Sequence, residues 1–357
     1  MFFSSLLTGH DTIECAYYLA PLPECALDYE RLAAEKESLR IAKIRRPKPL
    51  ALGTEEFLLM PNGTASGYPF LIENDSFSIQ FGEFNKPNFF VTYRSYALWQ
   101  HGAACLHRRF LDWAASLGFT SFQPERLSRV DFTFDYQLDT IDFDEDNFVS
   151  QATKDNQHRK NGKVQTFRFG EGDVMLRVYN KIDEIQEKSA KTWFYTLWGC
   201  EQNVWRIEWQ VRKEWLRRFG VRTFTDLNER QGDLLRILVN DHTTLRCKTG
   251  DSNRARWPLH PLWRNLQDRV GQMPGLGIVR ELDRGALLKE RETRIAISVY
   301  GYLKRLAAIQ GIQISTADIG FEESLKHLTR KLENVHDPLT WEHDVARRYD
   351  EMRLGQW

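Results

Sequence analysis

The chain has 357 residues, too many for a disulfide-stapled scaffold and enough for one large or two ordinary domains. Hydrophobic residues make up 42% and charged residues 27%, which allows a buried core and excludes a disordered tail. Lys+Arg and Asp+Glu both number 49, so net charge cannot draw the chain to nucleic acid or membrane, and only a local patch could.

In chain order, residues 12–20 (TIECAYYLA) predict a strand and 27–43 a helix with Leu32, Leu39 and Ile41 on its apolar side. Turn signals at Pro61-Asn62-Gly63, Ser66-Gly67 and Asn74-Asp75 divide an alternating stretch into strands near 68–73, 76–82 and 88–94. Residues 96–117 predict one amphipathic helix stopped by Gly118. Strands follow at 127–137, 163–170, 174–181 and 204–212, the last running into a helix at 213–219. Beyond 223 the pattern is helical, over 224–241, 260–271, 280–309, 317–332 and 338–353. The polar stretch 249–258 (TGDSNRARWP) suggests a boundary between an α+β domain, 1–248, and a helical C-terminal domain, 259–357, for DNA binding or oligomerisation. The expected fold is α+β: a central, mostly antiparallel sheet with helices packed on one face, followed by the helical region. Five scattered cysteines without a CxxC pair fit reduced thiols. No apolar run approaches the roughly 20 residues of a membrane span, and the N-terminus lacks a basic n-region, so a cytoplasmic protein is expected. No GxGxxG or Walker A sequence occurs.

Three strands carry the chemistry: Arg129–Asp135 (RVDFTFD), Arg177–Lys181 (RVYNK) and Arg206–Arg212 (RIEWQVR). Side chains alternate across a strand. Val130, Phe132 and Phe134 therefore oppose Arg129, Asp131, Thr133 and Asp135. Val178 opposes Arg177, Tyr179 and Lys181, and Ile207, Trp209 and Val211 oppose Arg206, Glu208, Gln210 and Arg212. If the strands are neighbours, the polar faces merge into one surface of carboxylates, guanidinium groups, a lysine and a tyrosine. That inventory suits phosphodiester chemistry. Carboxylates can hold a hard divalent cation, arginine forks fit phosphate, and Arg177 and Lys181 flanking Tyr179 would favour its phenolate. A solvated face with cross-strand Arg–Asp pairs suits the same pattern.

The pieces Ser128–Asp135, Val164-Gln165-Thr166 with Phe169-Gly170, Arg177–Lys181, Trp205–Glu208 and Leu216–Gly220 stand in an order that resembles the replication initiation factor (Rep_trans) family. That family comprises rolling-circle plasmid and phage initiators and MobT-type relaxases. The resemblance covers about residues 88–246. It implies a DNA nicking-closing enzyme in which Tyr179 attacks one strand and stays on the 5′ phosphate. It further implies Asp131 and Glu208 as ligands of Mg²⁺ or Mn²⁺, and Arg177 and Lys181 as stabilisers of charge. Asp11 is a weak match to an early family aspartate. Many members carry an acid where Thr92 stands, and Glu83, the nearest upstream acid, takes no role. The implied partners are single-stranded or hairpin origin DNA, host helicase and polymerase, and a second copy of the chain. Candidate DNA contacts are Arg206, Arg212, Lys213, Arg217, Arg218, Lys160 and Lys163. A relaxase for transfer of an integrative element, and a DNA-binding protein without catalysis, are the alternatives. His101 and His107 lack the spacing of a metal pair, Asp135 suits either a supporting role or a salt bridge, and Tyr195 sits in an aromatic run that suits a core.

Overall fold

The computed structural model describes residues 3–42, 46–160, 163–275 and 284–353. Strand β1 (Phe3–Pro21) is more than twice as long as its apolar pattern predicts, because it pairs along its length with a similarly long β7 (Phe119–Leu138). Between them lie α1 (Tyr29–Ile41), β2 (Lys48–Leu52), β3 (Glu55–Leu59), β4 (Phe70–Glu73), β5 (Phe77–Phe81), β6 (Phe89–Tyr93), α2 (Ser95–His101) and α3 (Ala103–Ser116). The single helix expected over 96–117 is two helices. Gly102 adopts φ +79°, a left-handed conformation that ends α2 and redirects the chain. Gly118 ends α3 at φ +82°, and a Cβ there would lie 2.7 Å from the backbone of Cys25.

The chain continues through β8 (Phe148–Ser150), β9 (Asp155–Lys160), β10 (Lys163–Phe169), β11 (Val174–Asn180), α4 (Lys181–Glu184), α5 (Trp193–Trp198), β12 (Val204–Arg212), α6 (Lys213–Arg218), α7 (Phe224–Ile237), β13 (Thr243–Leu245) and α8 (Pro261–Gly271). Eleven strands form one antiparallel sheet in the order β2-β3-β4-β5-β6-β1-β7-β12-β11-β10-β9. Register shifts along the β1–β7 ribbon mark bulges, which bend and twist a pair too long to lie flat.

The apolar face carries the main core. Ile13, Val130, Phe132, Phe134, Ile207, Trp209 and Leu176 pack there with Phe110 and Trp113 of α3, Leu234 of α7 and Trp263 and Leu266 of α8. The Trp113 indole donates to the Leu52 carbonyl at 2.9 Å, so this bulky ring buries no unpaired N–H. A second, smaller core of Ile182, Ile185, Phe194, Trp198 and Val204 lies around α4 and α5.

The described residues divide into compact units, 1–280 and 281–357. The boundary expected at 249–258 falls inside the first unit. Cys247 N–H donates to the Pro258 carbonyl and His260 N–H to the Leu245 carbonyl, tying that polar loop back, and α8 completes the main core. The second unit holds α9 (Arg284–Gln313), α10 (Phe321–Glu333) and α11 (Pro338–Arg353), with the Tyr300 and Phe321 rings 6.1 Å apart. Among the described residues no helix is long and apolar enough to cross a membrane.

Candidate active site on the polar sheet face

The register of β11, β12 and β7 sets the site. Tyr179 lies opposite Arg206, which lies opposite Asp135; Arg177 lies opposite Glu208, which lies opposite Thr133. Gln210 lies opposite Asp131, and Arg212 opposite Arg129. Directly opposed residues of an antiparallel pair share a face. The polar faces expected from three separate stretches therefore do merge, with β12 in the middle.

Glu208 is the hub. Its Oε2 accepts from the Tyr179 hydroxyl at 2.7 Å, and its Oε1 is paired with Arg177 Nη2. Asp131 accepts from Arg129 through both oxygens, Nε at 2.8 Å and Nη2 at 2.5 Å. Arg129 also reaches Glu14 on β1, Nη1 to Oε1 at 3.3 Å. Glu14 lies opposite both Arg129 and Thr92. The acid missing at Thr92 thus has a counterpart one strand over, which the sequence reading missed. Its signal was present: Glu14 is a charged residue between Ile13 and Cys15, both fully buried.

The electrostatics differ from the sequence expectation at Tyr179. Burial pushes its phenol well above the ordinary value of 10, and Glu208 adds to the rise; Arg206 and Arg177 oppose it without winning. Arg177 is neutralised by Glu208. Lys181 does not extend the strand face, because Asn180 caps α4 by accepting from Ile182 N–H and Asp183 N–H and Lys181 is already helical. Its ammonium lies 5.5 Å over the Tyr179 ring and pairs with Glu184 at 2.5 Å, in a side chain 2% exposed. Burial, aided by Arg206, lowers the Lys181 pKa. Lys181 therefore stands behind Tyr179 rather than beside a phosphate.

Arg206 is likewise no DNA contact. It is 0% exposed, forks onto Asp135 at 2.6 and 2.8 Å, and reaches Asp11 at 2.7 Å. Its guanidinium lies 4.5 Å over Phe194 of α5, and the Trp198 indole donates to Asp135 at 2.9 Å, so α5 covers the polar face at this end. Burial alone would raise Asp11, but Arg206, Lys191 and Lys181 together hold its carboxyl well below the carboxylate range. Asp135 is accordingly the partner of a buried arginine. Arg212, Lys213, Arg217 and Arg218 are exposed, with Arg217 paired to Glu214 at 2.8 Å. The side chains of Lys160 and Lys163 lie outside the described residues. His107 bonds Tyr17 at 2.7 Å and stacks on Phe224, as a packing residue does. Tyr195 packs against the small core, 6.2 Å from Trp198.

Among the described residues no group of three or more His, Cys, Asp or Glu could hold a cation. Both oxygens of Asp131 and of Glu208 already have side-chain partners, so in this arrangement the two acids do not make a metal site by themselves.

Asp131 carries a measurable consequence. Burial pushes its carboxyl up from 3.8 to about 6; Arg129 opposes the rise and the Glu208 charge adds to it. A carboxyl raised on folding contributes stability in full below its unfolded value and loses it as pH climbs through the folded one. Asp131→Asn removes that titration. The stability of the variant relative to the parent is expected to improve by on the order of 2–3 kcal/mol between pH 4 and pH 7 in urea denaturation. A difference that stays flat over this range would contradict the raised carboxyl.

No family model and no curated protein matches the chain. Among solved structures, a rolling circle replication initiator protein from Geobacillus stearothermophilus is similar at 17% identity, over 78% of this chain and 100% of that chain, with a TM-score of 0.44.

Proposed function

We propose that the chain is a rolling-circle replication initiator that nicks and rejoins one DNA strand through a phosphotyrosine at Tyr179. The observation that carries this reading is the Tyr179 hydroxyl seated on Glu208 Oε2 at 2.7 Å, with Arg177 on the other oxygen of the same carboxylate. A candidate base must first be within hydrogen-bond reach of the proton it takes, and Glu208 is. Tyr179 Oη attacks phosphorus and passes its proton to Glu208. The bond from phosphorus to the 3′ oxygen breaks, and that oxygen leaves and takes up a proton from solvent water. Arg177, released from Glu208 as the carboxylate is neutralised, is free to offset charge on the phosphoryl oxygens. Reversal closes the strand. The resemblance in the five sequence pieces supports Tyr179 as nucleophile and Arg177 as a stabiliser of charge, and implies Glu208 as a metal ligand rather than a base.

A divalent cation, Mg²⁺ or Mn²⁺, belongs to the proposal. Asp131 would hold it once Arg129 lets go, joined by Glu208 while that carboxylate is ionised and before it takes the Tyr179 proton, and bound there it would polarise a phosphoryl oxygen. Mn²⁺ is expected to raise the melting temperature of the parent protein and not that of Asp131→Asn; equal shifts would exclude Asp131 as a ligand. On this reading the partners are origin DNA, host helicase and polymerase, and a second copy of the chain, in the cytoplasm. A relaxase for an integrative element would use the same chemistry at a different nick site.

The buried, protonated Tyr179 favours a second reading, a DNA-binding protein without catalysis. Incubation with labelled single-stranded origin DNA and Mn²⁺ separates the two. An adduct that survives SDS supports the nicking enzyme. A reversible shift alone supports the binder.

A further inference from the structure

A cleft of about 510 Å³ opens on the same sheet face, beyond the site already described. The register leads to it. Along β12, Glu208 is followed on one face by Gln210 and Arg212, and α6 begins at Lys213. Four residues of strand separate Glu208 from Arg212 by roughly 13 Å. On β1, Glu14 is followed by Ala16 and Tyr18, and Ala16 lies opposite both Phe90 and Arg126. Ala16, Tyr18, Phe90, Arg126 and Lys213 line the cleft, together with Arg217 and Arg222.

Its chemistry is one-sided. The wall carries four cations, Arg126, Lys213, Arg217 and Arg222, against one acid, Glu214. Glu214 is paired with Arg217. Among the described residues, Arg126, Lys213 and Arg222 make no ion pair, and all three are exposed. A chain of net charge zero has concentrated free positive charge here. Aromatic rings stand among these cations. Tyr68 and Phe90 lie 6.5 Å apart within the cleft. Phe122, 57% exposed, meets the Tyr18 ring edge-on at 6.3 Å. Packing within this chain gives no reason for a phenylalanine so open to solvent. Cations that track a backbone, interleaved with rings on which bases stack, are what a single nucleic-acid strand requires. An acidic peptide would use the cations and leave the rings idle. A duplex would present phosphates and no unstacked base.

We propose that this cleft holds single-stranded DNA a few nucleotides from the scissile phosphate, with Phe122 and Phe90 stacking bases and Arg126, Lys213 and Arg222 meeting phosphates. The proposal rests on the nicking reading for what happens at Tyr179, but the binding it describes is separate. It makes the polar face a track with two stations, one for the reacting phosphate and one for the strand beside it.

The test reads binding in protein that cannot react. Fluorescence anisotropy of a labelled oligothymidylate is measured with Tyr179→Phe as the parent, then with Phe122→Ser or the pair Arg126→Gln and Arg222→Gln added. The three positions substituted besides Tyr179 are all exposed, and the fold of each variant is checked by thermal melting. Phe122→Ser is expected to weaken binding about tenfold, the size of one lost stacking contact. The arginine pair is expected to weaken it by a similar factor and to lower the slope of log affinity against log salt by about 1.4. Affinity and slope unchanged in both variants, absence of oligothymidylate binding by the parent, or displacement of the strand from duplex competitors with equal ease would each overturn the proposal. The two readings fail separately. A wild-type protein that forms no adduct while these variants lose affinity would remove the nicking reading and keep the cleft. An adduct with unaltered affinities would do the reverse.

Discussion

Tyr179→Phe is expected to abolish the SDS-resistant adduct with single-stranded origin DNA while leaving reversible DNA binding within about twofold of the parent. The substitution deletes one oxygen, the atom that would bond to phosphorus. The ring it leaves is 9% exposed and stays packed under the Lys181 ammonium. The structural cost is the hydrogen bond to Glu208, and losing the donor to a buried carboxylate costs about 1–3 kcal/mol. Folding therefore survives and the chemistry does not. Glu208→Gln tests the partner: with the tyrosine in place and its proton acceptor gone, adduct formation should slow by about 10²- to 10⁴-fold. Cleavage retained by Tyr179→Phe would move the nucleophile elsewhere, and an unchanged rate in Glu208→Gln would remove the base from the proposed step.

Arg206→Met is expected to destabilise the first unit by about 3–5 kcal/mol. At 0% exposure this guanidinium neutralises Asp135 and Asp11 together, through three hydrogen bonds between 2.6 and 2.8 Å. Methionine fills much of the volume but leaves two buried carboxylates without their main countercharge, and such an orphaned charge costs more than the pair itself contributes. Lysine cannot replace the fork, having one point of charge for two acids. In thermal melting the loss corresponds to a fall of roughly 10 °C. A loss below about 1 kcal/mol in urea denaturation would mean the cluster is not held by Arg206. The same cluster should make the protein acid-labile. Asp11 is depressed on folding, so its contribution is present in full above its unfolded value near 3.8 and is lost as pH falls below it.

How much of the site was legible depended on distance along the chain. The alternation in 129–135 and 206–212 placed Asp131, Glu208 and their neighbours on one face, because a strand repeats every two residues whatever surrounds it. The same rule failed one residue past Tyr179. Asn180 begins a helix there, and its capping bonds to Ile182 and Asp183 take Lys181 out of the strand. Arg206 read as a surface cation because nothing local indicates that the aromatic run at 193–198 folds back over it. The helix over 96–117 read as continuous because its apolar spacing persists through Gly102, where a single positive φ breaks it.

From its own order of residues this protein determined the strands at the centre of the sheet, β4 to β7 and β10 to β12 with part of β1, which face of each is apolar and which polar residues travel together. These follow from backbone periodicity and side-chain polarity, both local properties. The short or edge strands β2, β3, β8, β9 and β13 carried no clear pattern. Only the tertiary structure decided that β12 sits between β7 and β11, that Glu208 touches Tyr179, that Glu14 faces Thr92, and that Arg206 is sealed beneath α5. Strand neighbours are chosen by contacts between residues well separated along the chain, 29 positions for Tyr179 and Glu208 and 115 for Glu14 and Arg129. Burial is set by what lands on a surface, and so is the protonation of the groups beneath it.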